Sequence, residues 1–168
     1  LLAEYRSRYQ TMYDRADIYI PFIERSLSVL VKGGNLGFIC ADRWMKNRYG
    51  GPLRSLVADQ FYLKIYVDMV DTPAFHSDVI AYPAITIISR ETPGTTRIAH
   101  RPAIDRATLA ILANALRAQN LPKETGPVRE LARVTNGSEP WLLESSDQLA
   151  LIRRLEKQFQ SLEEVGCK

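Results

Sequence analysis

Leu30-Val31-Lys32-Gly33-Gly34-Asn35-Leu36-Gly37-Phe38-Ile39-Cys40-Ala41 decides how this chain folds, because helical spacing gives way there to an apolar run. Upstream, Tyr19, Phe22, Ile23, Leu27 and Leu30 recur at i, i+3 and i+4, with Glu24, Arg25 and Lys32 outside the stripe. That is the pattern of an amphipathic helix packed on a core. Asp17 fits its N-cap or first turn, and Pro21 falls in the first turn, where a missing N–H does no harm. Gly33-Gly34 are expected to close the helix, since glycine tolerates the left-handed conformation of a C-cap. Leu36 to Ala41 then reads as a parallel strand covered on both faces.

Working outward, Glu4 to Ala16 place Tyr5, Tyr9 and Tyr13 four residues apart, which predicts a first helix. Downstream, Asp42 to Gly51 form a polar loop, and Pro52 opens a helix through Ala58. Phe61, Leu63, Ile65 and Val67 alternate with polar or amphipathic residues, the period of a strand. After a loop over 71–83, the β-branched run Ala84-Ile85-Thr86-Ile87-Ile88-Ser89 predicts another. No helix separates these two strands, so they are expected to be antiparallel neighbours.

The expected fold is therefore α/β, with strands at 36–41, 61–68 and 84–89 forming half of an open sheet. Thr95 to Pro102 fits one more edge strand. A mainly helical extension follows, with a helix over Asp105–Ala118 carrying Leu109, Leu112 and Leu116 on one side. Residues 119–127, with Pro122, Gly126 and Pro127, read as a linker. Ser145 and Gln148 fit a capping box opening a last helix whose apolar face is Leu149, Ile152, Leu155 and Phe159. Divisions are expected at 1–90, 91–127 and 128–168.

Over 168 residues, Lys+Arg 22 against Asp+Glu 19 gives 22 − 19 = +3, with 46% hydrophobic and 24% charged residues. These are the proportions of an ordinary globular protein, not of a disordered, collagenous or coiled-coil chain. No apolar run approaches the roughly 20 residues of a membrane span. Cys40 and Cys167 form neither a disulfide framework nor a metal pattern, which makes a reducing cytoplasm the expected compartment. Leu1-Leu2-Ala3 at the start and Gly166-Cys167-Lys168 at the end suggest a piece cut from a longer polypeptide.

Chemistry-bearing residues are few. Arg43, Lys46, Arg48 and Arg54 stand with Trp44, Asn47, Tyr49 and Gly50-Gly51, and no acid intervenes between Asp42 and Asp59. The segment would follow the C-terminal end of a strand, where open α/β sheets bind ligands. Basic groups among aromatics and glycines suit a phosphate backbone, and they equally suit a solvated loop with Trp44 tucked into the core. Phe75 fits a stacking platform or a hydrophobic plug. His76 and Asp78 fit an acid–base pair or polar surface, without a nucleophile motif. His100 is too isolated to make a metal site with His76. There is no phosphate loop, no G-x-G-x-x-G and no catalytically spaced pair of carboxylates.

Taken in order, Asp17-Ile18-Tyr19-Ile20-Pro21-Phe22, then Leu30 to Ile39, then Arg43-Trp44-Met45-Lys46-Asn47-Arg48-Tyr49-Gly50-Gly51-Pro52-Leu53-Arg54 resemble a known family. It is the N6-adenine DNA methyltransferase region of type II restriction–modification enzymes, in which methylase and endonuclease often share a chain. The likeness continues through Phe75 and Tyr82-Pro83-Ala84-Ile85-Thr86-Ile87-Ile88. Less specifically, Thr135-Asn136-Gly137-Ser138-Glu139-Pro140-Trp141 and the following helix resemble the connection toward a target-recognition domain.

The resemblance implies a Rossmann-like seven-stranded methyltransferase sheet, of which this chain would supply the C-terminal half. It implies S-adenosylmethionine as cofactor, double-stranded DNA as partner and transfer of a methyl group to a flipped adenine. The family's glycine-rich donor-binding turn and its Asn-Pro-Pro-aromatic motif are absent, so the 168 residues alone are expected to be inactive. Residue by residue, it implies that Asp17, Tyr19 and Phe22 stand beside the donor and adenine pocket, with Phe22 an apolar wall. Phe75 matches the aromatic that stacks on the extruded base, and Arg43, Lys46, Arg48 and Arg54 match a polar loop near the DNA cleft. The alternative from another class is a non-catalytic DNA-binding or subunit-assembly module using the 43–54 loop and the helices over 105–118 and 145–159. A methyltransferase with a substrate other than DNA is a third reading.

Overall fold

The computed structural model describes residues 2–74, 82–121, 126–132 and 134–143, with positions 151, 154–155, 157–159 and 166 beyond them. Its centre is a sheet of β1 (Asn35–Ala41), β2 (Tyr62–Asp68), β3 (Pro83–Ser89), β4 (Thr96–His100) and β5 (Arg129–Leu131), in the order β1-β3-β2-β4-β5. β3 runs antiparallel to both neighbours: to β2, as the helix-free connection predicts, and to β1, which was expected as a parallel strand but has only this antiparallel partner among the described residues. β1 and β2 therefore point the same way, and β4 lies parallel to β2. β5 pairs antiparallel with β4, so β4 is internal where an edge strand was expected. The segment after residue 90 thus adds two strands to the same sheet besides α5 (Arg106–Arg117).

Several boundaries differ from expectation for identifiable reasons. The first helix, α1 (Leu2–Arg8), stops well short of Ala16. The Glu24 carboxylate accepts hydrogen bonds from the backbone N–H groups of Gln10 and Thr11 and from the Thr11 hydroxyl, which takes those groups away from a helical ladder. Asp14 then adopts a φ of 53°, which ends any continuation. α2 (Tyr19–Ser28) ends before the glycines rather than at them. Gly33, at φ 80°, forms the turn into β1: its N–H donates to the Arg90 carbonyl, and the Arg90 N–H donates to Gly34.

The period-two stripe of β2 is also interrupted. A register shift between Leu63 and Ile65 puts Leu63 in the core under α2 and α4 (Gly51–Gln60), while Ile65 and Val67 face the opposite core, which holds Leu112 of α5. β1 is not covered on both faces. It is an edge strand among the described residues, with Asn35, Gly37 and Ile39 exposed and Leu36, Phe38 and Cys40 half-buried.

The larger core joins Ile20, Ile23 and Leu27 of α2 to Leu53 and Val57 of α4, Leu63, Ile88 and Ile98 of the sheet, and the pair Trp44 and Trp141. Trp141 meets Trp44 edge-on at 5.0 Å between ring centroids, and its backbone N–H donates to the Met45 carbonyl. This anchors the 134–143 tail beneath α3 (Arg43–Lys46). Asp105 caps α5 by accepting from the Thr108 N–H, and Leu112 is that helix's buried contact. Ser145, Gln148, Leu149 and Ile152 lie outside the described residues, whereas Leu155 and Phe159 are exposed.

Candidate functional site at the carboxyl edge of the sheet

Because β1, β2 and β4 share one direction, Asp42, Asp68 and His100–Arg101 emerge at the same edge of the sheet. This is the edge at which open α/β sheets place their ligands. Two groups of polar side chains gather there.

The first surrounds the start of α2 and the end of β1. The hydroxyls of Tyr19 and Tyr49 lie 2.7 Å apart, tying α2 to the 3-10 turn Arg48–Gly50. Burial raises the Tyr19 hydroxyl, and the bond to Tyr49 adds to the effect, so Tyr19 remains a neutral hydroxyl. Burial, with the nearby Asp42 and Asp17 carboxylates, pushes the Cys40 thiol up to about 12. Asp17 is exposed, and its Oδ1 accepts from the adjacent Ile18 N–H, so it stands just before the helix rather than capping it. Phe22 is 56% exposed, and its ring therefore belongs to the open face of α2, not to the buried stripe.

The second group lines a cavity of about 160 Å³ bounded by Asp42, Lys46, Tyr66, Asp68, Tyr82 and Arg101, among others. Asp42 is buried, and its Oδ2 accepts from the Tyr66 hydroxyl at 2.9 Å, with the Lys46 ammonium at 3.4 Å. Asp68 faces Nδ1 of His100 at 3.6 Å and Nε of Arg101 at 3.3 Å, and accepts from the Val70 N–H. Burial alone would raise the Asp68 carboxyl. Bonds from His100, Val70 and Arg101 outweigh it and hold the group below the usual carboxylate range.

The four basic residues singled out in the sequence separate by environment. Arg43, Lys46 and Arg48 are exposed around α3 and the 3-10 turn; the Arg43 guanidinium lies 4.9 Å from the Tyr82 ring centroid. Arg54 is placed differently. It is 2% exposed, and its guanidinium donates to the carbonyls of Ser138, Trp44 and Asn47 at 2.6–2.8 Å. Buried, with Nε and Nη1 spent on fixing the 43–50 segment to the tail, Arg54 is placed as a structural cross-link rather than facing a phosphate. Trp44 is fully buried, as the core reading of that loop has it. Phe75, His76 and Asp78 lie outside the described residues.

The sequence reading names Tyr49 and Asp42 without a role, passes over Tyr66, Asp68 and Arg101, and sets His100 aside. A signal was present: Asp42 and Asp68 are acids directly at the C-terminal ends of apolar strands.

Residues 1–75 match the model of the Eco57I restriction-modification methylase family. All 168 residues align at 83% identity with the type II methyltransferase M.PaeR7I of Pseudomonas aeruginosa, covering 29% of that protein. Over its whole length this chain is a relative of the type II methyltransferases. A second relative, M.XhoI of Xanthomonas vasicola, is 55% identical over 172 aligned residues, with 31% of its length covered. The chain therefore spans about a third of the length of the curated relatives it matches. In three dimensions it is similar to the M protein of the type I restriction enzyme EcoKI, with a TM-score of 0.54 at 11% identity, over 90% of this chain and 45% of that one. The mixed sheet flanked by helices is thus a Rossmann-like α/β fold shared with that protein.

Proposed function

We propose that this chain is the part of a site-specific adenine-N6 DNA methyltransferase that carries the second half of its catalytic sheet. The whole protein would use S-adenosylmethionine as methyl donor, act within a type II restriction–modification system and take double-stranded DNA as substrate. The observation that carries the reading is the 83% identity to a type II methyltransferase over every residue of the chain. The clustering of Asp17, Tyr19 and Tyr49 at the carboxyl edge of the sheet is compatible with it.

Asp17, Tyr19 and Phe22 are the residues that would stand beside the donor. An exposed carboxylate just before α2 and an exposed aromatic ring five residues on suit a polar, cationic molecule bearing an adenosine group. When bound, the donor supplies an electrophilic methyl group on a sulfonium. Asp17 would offer a hydrogen-bond acceptor, Tyr19 a neutral hydroxyl held in place by Tyr49, and Phe22 an apolar surface that excludes water. Extrusion of the base is physically required, because the exocyclic nitrogen of a stacked, paired adenine cannot reach the donor. Phe75 would stack on the extruded base, and Arg43, Lys46 and Arg48 would meet backbone phosphates. The contribution of these residues is positioning and charge placement.

The test is transfer of radiolabelled methyl from S-adenosylmethionine to duplex DNA, comparing the full-length protein with the isolated 168 residues. Transfer by the full-length protein alone is expected. Turnover by the isolated chain would overturn the assignment of the missing chemistry to the remainder. No transfer by either would favour a non-catalytic DNA-binding or assembly module.

A further inference from the structure

We propose that Tyr49 is a positioning residue for the methyl donor, fixing the Tyr19 hydroxyl, although its neighbours in the 43–50 segment are cations read as meeting DNA; this rests on the reading above that Tyr19 stands beside the donor. The two hydroxyls lie 2.7 Å apart, and among the described residues Tyr49 is the hydrogen-bond partner of the Tyr19 hydroxyl. Tyr19 opens α2, so the helix fixes its backbone while Tyr49 fixes the far end of its ring. Burial raises the Tyr49 hydroxyl as it does that of Tyr19, and the bond therefore joins two neutral groups at neutral pH. Tyr49 also feels the charges of Asp17, at the start of α2, and of Arg43, in α3, which puts it within reach of both sides of the site.

The turn that carries Tyr49 is built as a fixed post. A Cβ on Gly50 would lie 1.7 Å from the Trp44 carbonyl oxygen, so only glycine lets the turn close against α3. The Gly50 N–H donates to the Asn47 carbonyl, and the Asn47 N–H donates to that of Arg43. Nη1 of the buried Arg54 then donates to the carbonyls of both Trp44 and Asn47. Adjacent residues of this one turn face different surroundings. Arg48 is exposed and reaches the Tyr13 hydroxyl at 3.5 Å, whereas Tyr49 is half-buried against the larger core beside Tyr19. A tyrosine hydroxyl rotates about its C–O bond, and a partner at 2.7 Å settles where its proton and lone pairs point. With that direction set in advance, a ligand loses less free energy in ordering the group it binds.

The substitution that removes only this bond is Tyr49→Phe in the full-length protein. Its dissociation constant for S-adenosylmethionine, read by calorimetry, should rise about five- to tenfold, the effect of one lost hydrogen bond. KM for the donor should rise in step, with kcat at saturating donor falling by no more than about twofold. Affinity for cognate duplex, its salt dependence and the melting temperature should hold, because both rings are half-buried and water can replace the lost partner. Tyr19→Phe should weaken donor binding similarly, and the double variant Tyr19→Phe/Tyr49→Phe should bind no more weakly than the worse single. Three results would overturn the positioning role: donor binding unchanged in Tyr49→Phe but weakened in Tyr19→Phe, additive losses in the double variant, or a joint fall in melting temperature and DNA affinity in Tyr49→Phe. Donor binding unchanged in Tyr19→Phe means that the donor-side reading itself fails, and the role of Tyr49 falls with it.

Discussion

The Tyr66 hydroxyl donates to Oδ2 of Asp42 at 2.9 Å, joining β2 to the end of β1 across the intervening strand β3. Asp42 is 4% exposed, and Lys46 reaches the same oxygen from one helical turn away. Removing the hydroxyl in Tyr66→Phe leaves a buried carboxylate short of a donor. The expected cost is about 1–3 kcal/mol of stability, read as a lower melting temperature of the full-length protein. An unchanged melting temperature would mean that Asp42 is adequately paired by Lys46 and water.

Arg54 and the exposed cations should behave oppositely. Arg54→Ala strands three carbonyl acceptors and is expected to destabilise by roughly 3 kcal/mol or more, with DNA binding lost only as folding is lost. Arg43→Gln and Arg48→Gln should leave the melting temperature nearly unchanged, whereas Lys46→Gln also removes the ammonium beside the buried Asp42 and should lower it. Each should lower the slope of log affinity against log salt by about 0.9 for every phosphate contact removed. Salt titrations that show the slope change for Arg54 and not for the other three would reverse the assignment.

Trp141 ties the 134–143 tail to α3, with its ring against Trp44 and its backbone N–H donating to the Met45 carbonyl. Trp141→Ala empties a fully buried site and is expected to cost about 3–5 kcal/mol, with Trp141→Phe milder. Thermal denaturation ranks the two. Equal, small effects would show that the tail is dispensable for the sheet.

The Cys40 thiol, raised from 9.0 to about 12, gives a signed pH dependence. A group whose folded value is raised contributes stability that is fully present below the unfolded value and lost as pH rises through the folded one. Stability should therefore be indifferent to this thiol below pH 9 and decline between pH 9 and 12. In a Cys167→Ser background, alkylation of Cys40 at neutral pH should be far slower than that of a free thiol. Rapid alkylation at neutral pH would refute the half-buried, protonated state.

Strand identities and the antiparallel β2–β3 pair were legible because apolar runs and a helix-free connection are local signals. The bulge at Leu63/Ile65 was not, because alternation in sequence does not reveal which of two cores each residue faces. Nor was the early end of α1, which Glu24 imposes from another helix. At the site, Arg54 shows the limit: its spacing looks like that of its basic neighbours, and only the tail folding back onto it turns a charge into a cross-link. Asp68, His100 and Arg101 are separated by a whole strand connection, so their meeting depends on β4 lying parallel beside β2.

The most direct test of the account is to identify the methylated base. Cognate DNA methylated by the full-length protein with labelled S-adenosylmethionine is digested to nucleosides and resolved. The account predicts label in N6-methyldeoxyadenosine alone, with the rate of its formation falling in Phe75→Ala while DNA affinity holds. Label in a methylated cytosine would contradict it.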